Sequence, residues 1–231
     1  MSQAHVSALK ELGGRVSKSL SKHQNTRAAS FLADHAKLVR ALEGITGMKD
    51  NPNSLETPAA HSYKLTQSAK KLSTEAGRIK EKVYENYQNY SMELSAAIFE
   101  RGGVVENKYA SEVRAAFRAL PTDKRMEFLK EITDKTDGAS FAAITNAPEI
   151  LTGITPEMNR NLSDAYYAKA APDLFQEQQD LAEAMDGMVA SLRIVESDAQ
   201  SYQDPETMRK IEVEVQRSQE ASSKFNAAFT E

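Results

Sequence analysis

Four histidines, His5, His23, His35 and His61, are the side chains of this chain best suited to proton transfer or metal ligation near neutral pH. All four fall in the first third of the sequence. None sits in a His-Glu-x-x-His motif, and no Glu-x-x-His pair of the kind that builds di-iron bundles occurs. Asp34 and His35 are adjacent, so on a helix they point to different sides and form no local orienter–base pair. The plainer reading is that these are surface or helix-partner histidines. Asp123, Glu127 and Glu131 stand at i, i+4 and i+8, where three carboxylates on one helical face could hold a hard cation. Lys124, Arg125 and Lys130 are interleaved with them and offer ion-pair partners, so a salt-bridged solvated face is the plainer reading. The chain has no Cys, which excludes disulfides, thiolate catalysis and Cys-ligated zinc. No nucleophile elbow, phosphate-binding loop, dinucleotide fingerprint or S-x-x-K set with its supporting motifs is present. The expectation is a protein that is not an enzyme and holds no metal or cofactor.

Positive charge is the stronger signal. Lys64, Lys71 and Arg78 recur every seven residues, with Lys70 and Lys82 beside them. At a rise of about 1.5 Å per residue they form a strip about 27 Å long on one helix. Such a strip could follow a phosphate backbone, an anionic membrane or an acidic protein. Glu75 and Glu81 dilute it, and no aromatic stands among these cations to stack bases. Tyr84, Tyr87 and Tyr90 come next along the same segment, and Tyr166-Tyr167 form a second aromatic cluster. At helical spacing such tyrosines serve as core–rim residues, or as binding anchors if exposed. The candidate interaction surface is therefore Lys64, Lys71, Arg78, Lys82, Tyr84, Tyr87 and Tyr90.

The elements that carry these residues are helices. Val6, Leu9, Leu12, Val16 and Leu20 follow each other at threes and fours, with Gly13-Gly14 as a weak point. Phe31 to Ile45 forms a second apolar face that includes His35. Met48 to Glu56 reads as a loop. From Pro58 to about Arg101 the seam Leu65, Ala69, Leu72, Ala76, Ile79, Val83 keeps a heptad rhythm, then passes a stutter into Tyr87, Tyr90, Leu94 and Ala97. Gly102-Gly103 ends it. Short helices are predicted over 107–120, 122–133 and 138–145, and Pro172 interrupts or kinks the helix that Thr155 opens. Leu174, Gln178, Leu181, Met185, Met188, Leu192, Val195, Ala199 and Tyr202 form another strict seam, and a last helix carries Met208, Ile211, Val215, Phe225 and Phe229. Thr57-Pro58, Thr155-Pro156 and Asp204-Pro205 each place a capping oxygen before a proline at the first helical position. No strand-like alternation persists.

The predicted fold is all-α: an elongated bundle of long amphipathic antiparallel helices with a compact middle region of short helices. Its parts are a basic long-helix arm (1–103), a short-helix middle (104–154) and an acidic long-helix arm (155–231), expected to form one continuous structural unit. Their segregated charge can drive packing of the two halves, head-to-tail association or docking to a charged partner. The first arm carries 15 cationic and 10 anionic residues, while 104–231 carries 14 and 23. Met1 to Leu12 lacks the apolar core of an export signal, and no run approaches the roughly 18 apolar residues of a membrane span. Placement in the cytoplasm without membrane insertion is the matching expectation.

One stretch combines Leu120-Pro121-Thr122 opening a helix, Ala142-Ala143-Ile144, the run Asn146-Ala147-Pro148-Glu149-Ile150-Leu151-Thr152-Gly153-Ile154-Thr155-Pro156-Glu157, and Ala171-Pro172. In this it resembles an uncharacterised family of bacteriophage-encoded all-helical proteins. The resemblance covers roughly residues 119–172, rests on turn and packing residues, and carries no activity. It implies a phage origin, with the host cytoplasm or the virion as location. The expected function is non-enzymatic protein–protein interaction in virion structure or assembly, through protein partners that include a second copy of the chain. One alternative is a phage factor that binds and inhibits a host defence protein. Another is a nucleic-acid-binding protein acting through the basic helix face.

Overall fold

The three helices opened by Thr-Pro or Asp-Pro begin as their capping residues dictate. Thr57 Oγ1 accepts from the Ala60 amide at 3.2 Å, Thr155 Oγ1 from Met158 at 3.2 Å, and Asp204 Oδ1 from Glu206 at 3.1 Å. The computed structural model describes residues 2–23 and 26–227. Among them the elements are α1 (Ser2–Leu20), α2 (Thr26–Asp50), α3 (Pro58–Arg101), α4 (Ala110–Ala119), α5 (Thr122–Asp134), α6 (Gly138–Thr145), α7 (Glu149–Thr152), α8 (Pro156–Ala170), α9 (Pro172–Ser201) and α10 (Pro205–Ala227), with no strand. The fold is all-α. Phe229, which the spacing adds to the last helix, lies outside the described residues.

The chain divides into two compact units, residues 1–86 with 183–231, and residues 87–182. This differs from the three consecutive segments that charge and helix length suggest. Packing ignores sequence order here: α3 and α9 each contribute to both units, so the boundaries fall inside long helices rather than at their ends.

In the first unit, heptad seams from distant segments bury each other. Leu9, Val16 and Leu20 of α1 share the core with Phe31, Leu38 and Leu42 of α2, Ala69 to Val83 of α3, and Met185 to Ala199 of α9. Side-chain contacts give the directions. Lys10–Glu43 (2.7 Å) sets α1 against α2, and His5–Asp198 (2.5 Å) with Ser19–Glu183 (3.1 Å) sets α1 antiparallel to α9. Lys82–Asp34 (2.8 Å) and Lys37–Glu75 (2.5 Å) set α2 antiparallel to α3. The result is a four-helix bundle. Gly13-Gly14 does not break α1, which runs unbroken to Leu20.

The second unit is built around one tyrosine. Tyr166 of α8 is fully buried, stacked on Phe141 of α6 with ring centroids 4.0 Å apart, and its hydroxyl donates to the Gly102 carbonyl (2.6 Å) and faces that of Thr136 (3.1 Å). Phe117, Leu129, Ile132, Ile144 and Ile154 complete this core. Asp137 caps α6 by accepting from the Ser140 amide at 3.2 Å. Gly138 lets α6 start against the Gly102-Gly103 turn: a Cβ there would stand 2.2 Å from the Gly103 carbonyl oxygen. Gly153 ends the single turn of α7 at φ +74°, the left-handed stop that favours glycine. Pro172 does interrupt: α8 ends at Ala170 and α9 starts afresh.

Candidate functional site

In the second unit, α5 and α8 run side by side and leave an open apolar groove of about 480 Å³ between them. Buried Leu129 and Ile154 with half-buried Leu162 form its floor, and Met126 and Met158, 57% and 40% exposed, form its walls. The groove exists because α5 spends its apolar residues on two sides. Leu129 and Ile132 face the Tyr166 core, while Met126, one turn before Lys130, looks outward. Asp134 and Lys169 form an ion pair near the C-terminal ends of both helices. The lysine donates to the carboxylate and so holds the Asp134 carboxyl below its ordinary range, with Lys130 adding to the same field. No carboxylate among the described residues lies within ion-pair distance of Lys130 itself.

An apolar floor, two flexible thioether walls and few converging polar groups suit the burial of apolar side chains. Among the described residues no three His, Cys, Asp or Glu side chains converge as metal ligands would. No helix among them is long and apolar enough to cross a membrane.

The residues singled out by spacing scatter into different roles. Lys64 pairs with Glu56 at 3.1 Å, Arg78 with Glu75 at 3.5 Å, and Lys82 with Asp34 at 2.8 Å. Their partners come from α2, from the loop before α3 and from α3 itself, so much of the cationic strip is spent within the chain. Glu56 and Glu75 are held below the ordinary carboxylate range, first by hydrogen bonds from Lys64 and Lys37. Lys71 is exposed, with no carboxylate at ion-pair distance among the described residues.

The tyrosine trio divides too. Tyr84 is 41% exposed and Tyr87 half-buried, but Tyr90 is buried at 4% exposure with its hydroxyl donating to Glu177 of α9. Tyr90 is therefore a core residue and leaves the candidate interaction surface. The reason is helical phase: Tyr90 continues the α3 seam with Leu94 and Ile98, both buried.

His5, His35 and His61 each have a polar neighbour within the chain. His5 bonds Asp198, His61 lies 3.7 Å from Glu56, and His35 bonds Ser191 at 3.0 Å inside the bundle. Asp34 turns away from its neighbour to Lys82, as adjacency on a helix requires. In the acidic stripe, Glu127 pairs with Lys124 and Glu131 with Lys135, while Arg125 donates instead to the Leu120 and Arg118 carbonyls.

The groove itself escaped the reading of spacings. Its only sequence trace is that α5 and α8 each place a methionine outside the stripe that faces the core. No family model, curated protein or solved structure matches this chain.

Proposed function

We propose that this chain is a non-catalytic protein-binding protein whose docking surface is the groove between α5 and α8. One observation carries the reading: two exposed methionines flank a buried apolar floor. An unbranched thioether repacks around different shapes, which suits a surface that receives another protein's side chains. A partner helix presenting apolar residues at i, i+3 or i+4, and i+7 fits such a surface.

The phage setting is supported by the resemblance over roughly 119–172, a stretch that contains both walls of the groove. In that setting the partner is a component of the assembling virion, or a host defence protein that the chain blocks. A photo-crosslinking amino acid at position 158, in infected cells, tests the reading. The expected result is one dominant adduct that disappears with Met126→Glu in the same chain. An adduct found in purified particles assigns the virion role, and one found early and absent from particles assigns the inhibitor role. Absence of any Met126-dependent adduct overturns the proposal.

A further inference from the structure

The second unsatisfied apolar surface belongs to α10. Met208 is buried and Ile211 partly so, but every described side chain from Glu212 to Ala227 is exposed. Helices stripped of packing are marginal in water, because propensity alone supplies little stability. Yet α10 keeps an apolar line through Ile211 and Val215, the latter 41% exposed.

Its charges are sorted around that line. At about 100° per residue, Glu212 and Glu214 stand about 80° to either side of the Ile211–Val215 axis, while Arg209, Lys210 and Arg217 lie more than about 100° away. The face is thus apolar with an acidic border, and its cations are on the back. Two such faces brought together would line one seam with four glutamates. The α5–α8 groove has a net cationic border: Lys130, which has no ion-pair partner among the described residues, and Lys169, whose carboxylate partner Asp134 lines the same groove.

We infer that α10 of one copy docks in the α5–α8 groove of a second copy, Ile211 and Val215 against Met126 and Met158, and Glu212 and Glu214 toward Lys130 and Lys169. The inference rests on the groove being a docking surface and names a second copy of this chain as its occupant. The two surfaces differ, so the contact is heterologous and propagates head to tail, into a ring or an open chain.

Light scattering on the full chain tests it. Wild-type mass rises above the monomer with concentration and falls back with added salt. Met158→Glu and Val215→Glu each weaken association by roughly tenfold or more. Mixing the two variants in equal amounts restores a 1:1 dimer that grows no further, because each copy keeps only one intact half. Both sites are exposed, and circular dichroism confirms unchanged helix content. As a gentler pair, Lys130→Glu weakens association and Glu212→Lys with Glu214→Lys on the other copy recovers it. A wild-type chain that stays monomeric overturns the inference, as does loss of association in Val215→Glu but not in Met158→Glu. If position 158 still crosslinks to a different protein in those cases, the proposed function stands and only the identity of the occupant falls.

Discussion

Gly13 of α1 lies directly against the imidazole of His35 on α2: a Cβ built on Gly13 would stand 2.6 Å from His35 Cε1. The ring is only 4% exposed and has no room to retreat. Gly14, its neighbour, has nothing within 4 Å. Adjacent glycines in one helix therefore carry opposite expectations. Gly13→Ala destabilises by about 1–3 kcal/mol through overpacking, net of the better helix propensity of alanine. Gly14→Ala stabilises by about 0.5–1 kcal/mol. Urea midpoints of the two variants check the pair, and equal signs would refute the packing argument.

His35 also makes stability depend on pH. Ser191 Oγ donates to the Gly187 carbonyl at 2.8 Å, so at 3.0 Å it accepts from the His35 Nε2–H. Burial holds the imidazole below its ordinary value of 6.5. The nearest carboxylate along its own helix, Asp34, is turned to Lys82. The unfolded chain therefore takes up a proton near pH 6.5 while the folded chain does not. This contribution to stability is whole above that pH and is lost as the pH falls below it, until the folded imidazole also protonates. Denaturation midpoints on both sides of pH 6.5 should show this decline, and His35→Gln should flatten it.

The Tyr166 hydroxyl ties α8 to two turns of chain, at Gly102 and at Thr136, and Thr136 itself sits at the positive φ of 51°. A β-branched residue there is strained and needs the surrounding contacts to hold it. Tyr166→Phe leaves the buried Gly102 carbonyl without its donor and should cost about 1–3 kcal/mol. Gly138→Ala places a methyl against the Gly102 and Gly103 backbone and should cost at least as much, since a main-chain oxygen cannot swing aside. Near-ultraviolet circular dichroism during denaturation, which follows the stacked Phe141–Tyr166 pair, measures both.

Cations of the α3 strip should not behave alike. Lys82 neutralises Asp34, whose side chain is only 12% exposed, so Lys82→Ala should destabilise by about 1 kcal/mol or more. Lys71→Ala should stay within about 0.5 kcal/mol of wild type. The protein-binding reading further expects no nucleic-acid affinity that climbs at low salt. Binding that does so, and vanishes when Lys64, Lys71 and Arg78 become Glu, would reinstate the basic face as the site.

Most helices and three of their starts were legible from the residues alone, although the stretch read as a loop from Met48 opens with the last turn of α2, which runs to Asp50. Backbone bonds link residues four apart, and a cap lies one residue before its proline, so Thr57, Thr155 and Asp204 announced α3, α8 and α10 without tertiary help. Buried seams such as Ala69 to Val83 were legible for the same reason: their period is that of the helix. What only the tertiary structure decided depends on residues far apart in the chain. Tyr90 stood both in the α3 seam and among the candidate anchors until Glu177 came against it, 87 residues on. Gly13 looked like a weak point of α1 until His35 filled the space above it. The α5–α8 groove opened because the Tyr166 core claimed one side of each helix and left Met126 and Met158 on the other. Spacing within a helix tells which residues share a face; which face is covered, and by what, is settled by contacts that no local period encodes.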